Sequence, residues 1–177
     1  MAATADLLCG SWELVDYRTV IEGGDGKEEE SVIFPLGRDA QGMITYTADG
    51  IISAHLMRPG APPHLDTGAL HGGTDEERAR SLQHSLAYAG FYSVSPREED
   101  PGHLIVRHRV VISSFPNWLG TVQARLATIR PATRTHLVLE TEKPVHVEGT
   151  WRRLILTWRR IPEPEMRQNG VSRASRL

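Results

Sequence analysis

The sequence predicts an all-β protein, an eight- to nine-stranded antiparallel up-and-down β-barrel with one helix inserted after the fourth strand. Most segments alternate apolar and polar residues or form short β-branched runs bounded by Gly, Pro or Asp, which is typical of antiparallel strands. One segment changes to helical spacing. The strands follow one another as hairpins with few edge-protecting devices, and closure into a barrel removes the edges that an open sheet would expose.

The length and composition predict one domain. A chain of 177 residues can remove about 70% of its unfolded surface from water without staples. We assign the barrel to residues 1–162 and expect a flexible tail over 163–177, because that segment is rich in Arg, Ser and Gly. The lone Cys9 cannot form an intramolecular disulfide, which favours a reducing, cytoplasmic environment.

Charge and motifs exclude several function classes. The net charge of -2 is spread along the chain, which argues against nucleic acid as a partner. The start of the chain lacks the pattern of a signal peptide, and no apolar run has the length of a membrane span, so we expect no membrane partner. The histidines lack metal-site spacing and the glycines at 23, 24 and 26 predict a turn, so we expect no metal and no cofactor.

The first half of the chain contains four predicted strands, at residues 11–21, 30–34, 43–47 and 51–58. The last two form the clearest hairpin, because Asp49-Gly50 between them supplies the positive φ that a tight turn demands. The Pro-rich segment PGAPPH then takes the chain out of the sheet.

A helix is predicted at residues 75–88. Thr74 and Glu77 have the spacing of a capping box, and four apolar residues follow at helical intervals: Ala79, Leu82, Leu86 and Ala89. Together with the Pro/Gly-rich segment before it, this helix is expected to cover the mouth of a cavity.

Five further strands are predicted, at residues 90–95, 103–114, 121–130, 136–141 and 151–161. A β-sandwich needs a similar number of strands and is the alternative. The two ends of the chain favour the barrel, because Trp12 opens the first strand and Arg159-Arg160 closes the last. An aromatic ring and a guanidinium are then placed to stack where the barrel shuts.

These ends resemble the lipocalin pattern, in which a Gly-x-Trp on the first strand packs against an arginine of the last. Further segments resemble the bacterial and fungal lipocalin-like domain family over residues 8–161: PLGRDAQGMITYTADGIISAHLMRPG, AYAGFYSV, SSFPNWLGTVQAR and LTWRR. The resemblance implies a small intracellular barrel. Related barrels include cyclases that isomerise natural products without a cofactor. Many members carry paired histidines where this chain has Arg107-His108-Arg109, so a role for two adjacent imidazoles is not expected.

The strand at 51–58 carries three candidates. His55 and Met57 share one face, and alternation alone does not say whether it is inward. If inward, His55 is a candidate general acid or base and Met57 contacts a ligand. The alternative is an outward or hydrogen-bonded histidine. Arg58 ends the strand, where it could clamp a ligand oxygen or simply bond a loop carbonyl.

Two later strands carry the other polar candidates. We expect His108 to point inward, because the reverse would bury both Arg107 and Arg109. On the strand at 121–130, either the apolar face is the core or Gln123 and Arg125 point into the cavity as hydrogen-bond donors. Four aromatic residues beside turns are expected to wall the pocket or to serve as core: Tyr46, Tyr88, Tyr92 and Trp118.

Two functions of different class fit these residues. The first is a cofactor-independent isomerase or cyclase of natural-product biosynthesis, in which His55 or His108 moves a proton and Arg58, Arg125 or Gln123 stabilises charge on a small hydrophobic oxygenated substrate. The alternative is a carrier that holds such a molecule without chemistry. A structural partner module with a filled barrel is a third possibility. The ligand and the oligomeric state stay open.

Overall fold

A computed structural model of the chain describes residues 6–21, 32–65, 72–98, 100, 103–129 and 135–162. The predicted turn at the glycines 23, 24 and 26 and the predicted tail over 163–177 lie outside these residues. Within the described residues no helix is long and apolar enough to cross a membrane.

Nine strands, one α-helix and one 3₁₀ turn have both ends among the described residues, and residues 6–8 are also helical. In chain order these elements are β1 (Gly10–Ile21), β2 (Gln41–Tyr46), β3 (Ile51–Met57), α1 (Asp75–Gln83), β4 (Ser85–Pro96), β5 (Leu104–Ser113), the 3₁₀ turn (Pro116–Trp118), β6 (Val122–Ile129), β7 (His136–Thr141), β8 (Val145–Val147) and β9 (Thr150–Arg160).

The strands form a closed antiparallel barrel. Strands β1 to β7 pair in sequence order, β9 pairs with β7, and β9 also pairs with β1, which closes eight strands into a ring. The short β8 is an extra strand that pairs with β9. The predicted barrel is confirmed, and closure through β1 and β9 excludes the sandwich.

Only residues 32–34 of the strand predicted at 30–34 are among the described residues. Within its described part, Ile33 forms an isolated bridge with Thr19 of β1. The predicted hairpin, in contrast, is present as β2 and β3. Gly50 lies at φ 89° in its turn, a backbone conformation that residues with a Cβ rarely adopt.

One end of the barrel is closed where the start of β1 meets the end of β9. The guanidinium of Arg160 lies 4.0 Å from the centroid of the fully buried Trp12 ring and donates to the carbonyl oxygens of Cys9 and Leu7, at 2.6 and 2.7 Å. Gly10 lies at φ 122°, which residues with a Cβ rarely adopt, and a Cβ there would lie 2.7 Å from Nη1 of Arg160 and displace the guanidinium. The predicted stacking of these two chain ends is confirmed.

The helix follows the predicted hairpin as expected, but it is shorter than predicted. α1 begins after Thr74, whose side chain and that of Glu77 form the capping box, and it ends at Gln83. β4 begins at Ser85, so the predicted helical extent to residue 88 is wrong. The structure gives little support to the expectation that this helix covers the cavity mouth, because α1 contains no buried residue and Leu82 is 49% exposed.

A β-bulge on β1 decides which of its residues point inward. The register of β1 against β9 shifts between Leu14 and Asp16, so the alternation that starts at the buried Trp12 changes parity there. Tyr17 therefore lies inside the barrel, 8% exposed.

Candidate functional site

A cavity of about 40 Å³ lies inside the barrel. Most of its wall is apolar, and Tyr17, Tyr88, Arg125 and the indole of Trp158 supply polar groups. The other lining residues are Ile44, Ala54, Leu56, Leu86, Trp118, Leu139, Leu154 and Leu156. This volume suffices for roughly three water molecules, whereas sites for small organic ligands usually measure about 300 Å³ or more. A larger ligand therefore requires lining side chains to move.

A buried histidine lies behind the cavity wall. His108 is fully buried, its Nε2 is 2.9 Å from the Tyr46 hydroxyl and its Nδ1 is 3.0 Å from the Tyr88 hydroxyl. The neighbouring Arg107 and Arg109 are exposed, so the predicted inward direction of His108 is confirmed. Both ring nitrogens are engaged by tyrosines, and the imidazole does not line the cavity.

The imidazole of His108 is neutral at physiological pH. Burial, together with the charge of Arg125, lowers its pKa to about 3. Burial also raises the pKa of Tyr46 and Tyr88 above the usual value, so both hydroxyls keep their protons. A neutral imidazole has one donor nitrogen and one acceptor nitrogen, so one tyrosine donates to the ring while the other accepts from it.

Arg125 is a buried cation in this wall. The residue is 9% exposed, and its Nη1 donates to the carbonyl oxygen of Ala124 at 2.8 Å. Within the described residues, no carboxylate forms an ion pair with it. Of the two alternatives for this strand, the structure has the one in which Gln123 and Arg125 point inward. Burial of a cation at this position is unfavourable unless an opposite charge pairs with it.

Two further lining residues carry polar atoms and were not among the predicted candidates. Burial raises the pKa of Tyr17 to about 12, and the nearby Arg125 opposes that rise. The Trp158 indole nitrogen is buried and has no hydrogen-bond partner within the described residues. Simple alternation from Trp12 would place Tyr17 outside, and the bulge that reverses it has no clear sequence signal. Trp158 lies two residues before Arg160 on the same face of β9, so its inward direction could have been inferred from that of Arg160.

Three candidates from β3 and its end lie outside the cavity. His55 is exposed and its Nε2 is 3.2 Å from the Ser53 hydroxyl, while Met57 is 45% exposed on the same outer face. The inward alternative for these two residues is therefore wrong, because Ala54 and Leu56 occupy the inner face. Arg58 is exposed and donates to the carbonyl oxygen of Pro35 at 3.0 Å, the loop-bound alternative.

The remaining candidates point inward without lining the cavity. Tyr46 lies in the core behind His108. Tyr92 is half-buried and donates to the carbonyl oxygen of Thr47 at 2.9 Å. Gln123 is half-buried and donates to the Thr121 hydroxyl at 3.0 Å. Each of these polar groups already has a partner within the protein.

Trp118 lies at the cavity wall, as predicted for a residue of this connection. It belongs to the 3₁₀ turn between β5 and β6, and its ring makes an edge contact with Tyr88 at 5.4 Å between centroids. Phe115 stacks on it at 5.7 Å and is 42% exposed. The segment is held by backbone bonds such as that from Gly120 N to Val110 O, at 3.0 Å.

An outer groove of about 610 Å³ adjoins the cavity. It lies where β1 leaves β2, since their pairing ends at Glu13 and Met43. Leu56 and Leu86 line both the groove and the cavity, so these two side chains form the wall between them. His55 and Met57 border the groove and not the interior.

The described residues contain no group of three His, Cys, Asp or Glu side chains arranged to hold a metal ion. What the cavity offers chemically is hydrogen bonding and one positive charge in an apolar enclosure, which suits the recognition of an oxygenated organic molecule.

Comparison with known proteins identifies the family. A sequence model of the lipocalin-like domain family matches residues 9–161. The 4'-hydroxy-3'-methoxypropiophenone carrier protein ppsC of Aspergillus oryzae is 40% identical over 114 residues, 63% of this chain and 97% of the carrier. The crystal structure of a point mutant of the fluorescent protein UnaG aligns with 89% of this chain and 99% of its own at 14% identity. The TM-score of this alignment is 0.34. The extent of the family match shows that this chain belongs to the lipocalin-like domain family.

Proposed function

We propose that this protein is a carrier that binds a small, hydrophobic, oxygenated metabolite inside its barrel. The observation that supports the proposal most is the internal cavity, whose apolar wall contains a buried arginine and a tyrosine hydroxyl. An apolar enclosure with a few convergent polar groups is the usual form of a small-molecule site. The relative from Aspergillus oryzae is named as a carrier of an aryl ketone, which supports the same class of ligand. A place in natural-product biosynthesis is part of the proposal.

The extent of the carrier within the chain is part of this proposal. We place the binding domain in residues 1–162 and propose that the protein is cytoplasmic. The family match over 9–161 supports that domain boundary.

Fluorescence titration of the full chain tests the carrier. Trp118 and Trp158 line the cavity, so a ligand that enters it is expected to quench tryptophan emission in a saturable way. The probe is 4'-hydroxy-3'-methoxypropiophenone. Absence of saturable quenching at millimolar probe would contradict the proposal for this class of ligand.

A matched pair of variants locates the binding site. Ala54 is 1% exposed and lines the cavity, so Ala54→Leu places three extra carbons where the ligand would lie. Ala124→Leu makes the same change on the outer face of β6, next to Arg125 in sequence. We expect the first variant to weaken binding at least tenfold and the second to bind as the natural protein does. Equal affinity in both variants would place the ligand outside the barrel.

A second candidate is a cofactor-independent isomerase or cyclase. The hydrogen-bonded chain from Tyr46 through His108 to Tyr88 favours it, because such a chain can relay a proton to the cavity. Against it, the pKa of His108 is lowered to about 3, which makes the imidazole a weak base.

Recovery of the bound molecule distinguishes the two candidates. A carrier releases the probe unchanged after prolonged incubation, whereas an isomerase or cyclase releases a product of equal mass and different chromatographic retention. If a product forms, His108→Ala should abolish it, and His55→Ala on the outer face should not. No turnover in the natural protein favours the carrier.

A further inference from the structure

The buried charge of Arg125 has no carboxylate partner among the residues that the structure describes. The titratable side chains that face it are Tyr17 from β1, Tyr46 from β2, Tyr88 from β4 and His108 from β5, and all four are neutral at physiological pH. Arg152 on β9, a second buried arginine among the described residues, does not line the cavity, and its Nη1 is 3.5 Å from the Thr19 hydroxyl. The cavity is therefore a positive site in an apolar enclosure.

A negatively charged ligand can pair with Arg125 at a small cost in desolvation free energy. Removing a guanidinium from water is unfavourable, but folding has already buried Arg125, so an incoming anion loses only its own hydration. Inside a low-dielectric enclosure the attraction between the two charges is much stronger than in water. The same enclosure disfavours a second cation and gives a neutral ligand no such gain.

The tautomer of His108 decides what Tyr88 offers to the cavity. In the tautomer in which Tyr46 donates to Nε2, the Nδ1 of His108 donates to the hydroxyl oxygen of Tyr88, which lines the cavity while Tyr46 does not. The proton of the Tyr88 hydroxyl then remains available to a ligand. The buried indole nitrogen of Trp158, which has no partner within the described residues, is a further donor in the same wall.

We infer that the cavity binds its ligand as an oxyanion, an ionised acidic phenol or a carboxylate on an apolar frame, with its charge on Arg125 and a hydrogen bond from Tyr88. The inference rests on the proposed carrier function and adds the ionisation state of the ligand to it. A phenol conjugated with a para ketone belongs to this class, since its anion delocalises onto the ketone oxygen.

Ionisation of a bound probe can be measured separately from binding. The phenolate of 4'-hydroxy-3'-methoxypropiophenone absorbs at longer wavelength than the phenol, while tryptophan quenching reports occupancy. Titration between pH 6 and pH 9 leaves His108 and the three tyrosines uncharged, so the probe is the group that ionises in the cavity. We expect the apparent pKa of the bound probe to be lower than that of the free probe, by about one unit for each tenfold preference for the anion.

Variants of Arg125 test the source of the shift. Arg125→Met is expected to remove the shift and to weaken binding of the anion at least tenfold, while Arg125→Lys keeps part of both. An apolar side chain of similar length in place of a buried cation usually preserves the fold. Arg109→Met, at an exposed arginine of β5, is the matched control and should behave as the natural protein does.

Two further ligands separate the possible anions. The methyl ether 3',4'-dimethoxypropiophenone cannot ionise, and it should bind the natural protein and Arg125→Met equally. The carboxylate 3,4-dimethoxybenzoate shows whether the site binds carboxylates. The anion that binds more tightly, phenolate or carboxylate, identifies the class of ligand that the site prefers. If the phenol quenches fluorescence with no shift in its pKa, and neither anion depends on Arg125, the inference is overturned while the carrier stands. If no probe binds, the carrier is overturned and the inference with it.

Discussion

His108 illustrates how alternation along one strand determines the surroundings of a single side chain. Inward and outward positions must alternate, and burial of one neutral imidazole is less costly than burial of Arg107 and Arg109. That comparison of energies was available from the sequence, and the structure agrees with it. The two tyrosine partners of His108 could not be predicted from the sequence, because they come from β2 and β4 and depend on the register between strands.

The lowered pKa of His108 predicts loss of stability in acid. The folded protein holds the imidazole neutral to a pKa of about 3, whereas the unfolded chain protonates it near its usual value of about 6.5. Below that usual value the unfolded state binds more protons, so stability falls as the pH falls towards the folded pKa, by about 1.4 kcal/mol per pH unit.

Urea denaturation between pH 7 and pH 4 measures this slope. His108→Gln removes the titrating group and retains hydrogen-bonding capacity, so its stability is expected to fall less steeply over the same range. Parallel pH profiles for the two proteins would show that His108 is not the group responsible.

Arg160 is predicted to contribute far more to stability than its neighbour Arg159. Arg160→Met removes the contact with the Trp12 ring and the bonds to two carbonyl oxygens, which should cost about 2–4 kcal/mol. Arg159→Met removes an exposed pair with Glu13 and should cost less than about 1 kcal/mol. Denaturant midpoints of both variants provide the measurement. Equal losses would mean that the closed end does not depend on the Trp12 contact.

The candidates on β3 and β1 show where inference from residue types stops. A histidine or tyrosine in a strand can face either side, and the choice depends on strand parity across the whole barrel. Parity was undetermined for His55 and is reversed by a bulge for Tyr17. Arg125 was recognised as a candidate because the polar residues of its strand share one face. They stay together on one face whichever side of the sheet that face takes.

At the scale of elements, the segment around residue 84 satisfied two patterns at once. Leu82, Leu86 and Ala89 have helical spacing, but Leu86 and Tyr88 also have strand spacing. Pairing decides in favour of the strand, because Leu86 aligns with Leu56 and Tyr88 with Ala54 across β3 and β4. A helical continuation would have left β3 without a neighbour on that side.

The wall between the groove and the cavity predicts how a ligand enters. Leu86→Ala removes one of the two side chains that separate them, so we expect the association rate of the probe to rise by about tenfold, the effect of lowering a barrier by about 1.4 kcal/mol. Leu82→Ala, on the exposed side of α1, is the control and should leave the rate unchanged.

Stopped-flow quenching of tryptophan emission measures both rates. Unchanged association in Leu86→Ala, together with faster association in Trp118→Ala, would place the access route at the connection between β5 and β6 instead.

At the scale of the whole molecule, the barrel was predictable because many weak signals agree. Strand periodicity, the Asp49-Gly50 turn and the pairing of Trp12 with an arginine of β9 all require the same closed ring. The cavity was less predictable, because its volume depends on how side chains from eight strands pack together. The resulting space of about 40 Å³ is small beside that of most ligand sites, so binding has to change the packing of the interior.

Binding is therefore expected to raise the thermal stability of the whole barrel. A ligand that binds the folded state alone stabilises it by about 2.7 kcal/mol at a concentration one hundred times its Kd, which corresponds to a Tm increase of roughly 5–10 °C for a chain of this size. Because the cavity is bounded by side chains from the strands of the ring, the increase should appear in one cooperative transition, measured by circular dichroism and tryptophan emission alike. In Ala54→Leu the increase should be about half as large or smaller, because tenfold weaker binding leaves about 1.4 kcal/mol of stabilisation at the same probe concentration. A full increase in that variant would mean that the stabilising ligand occupies the outer groove.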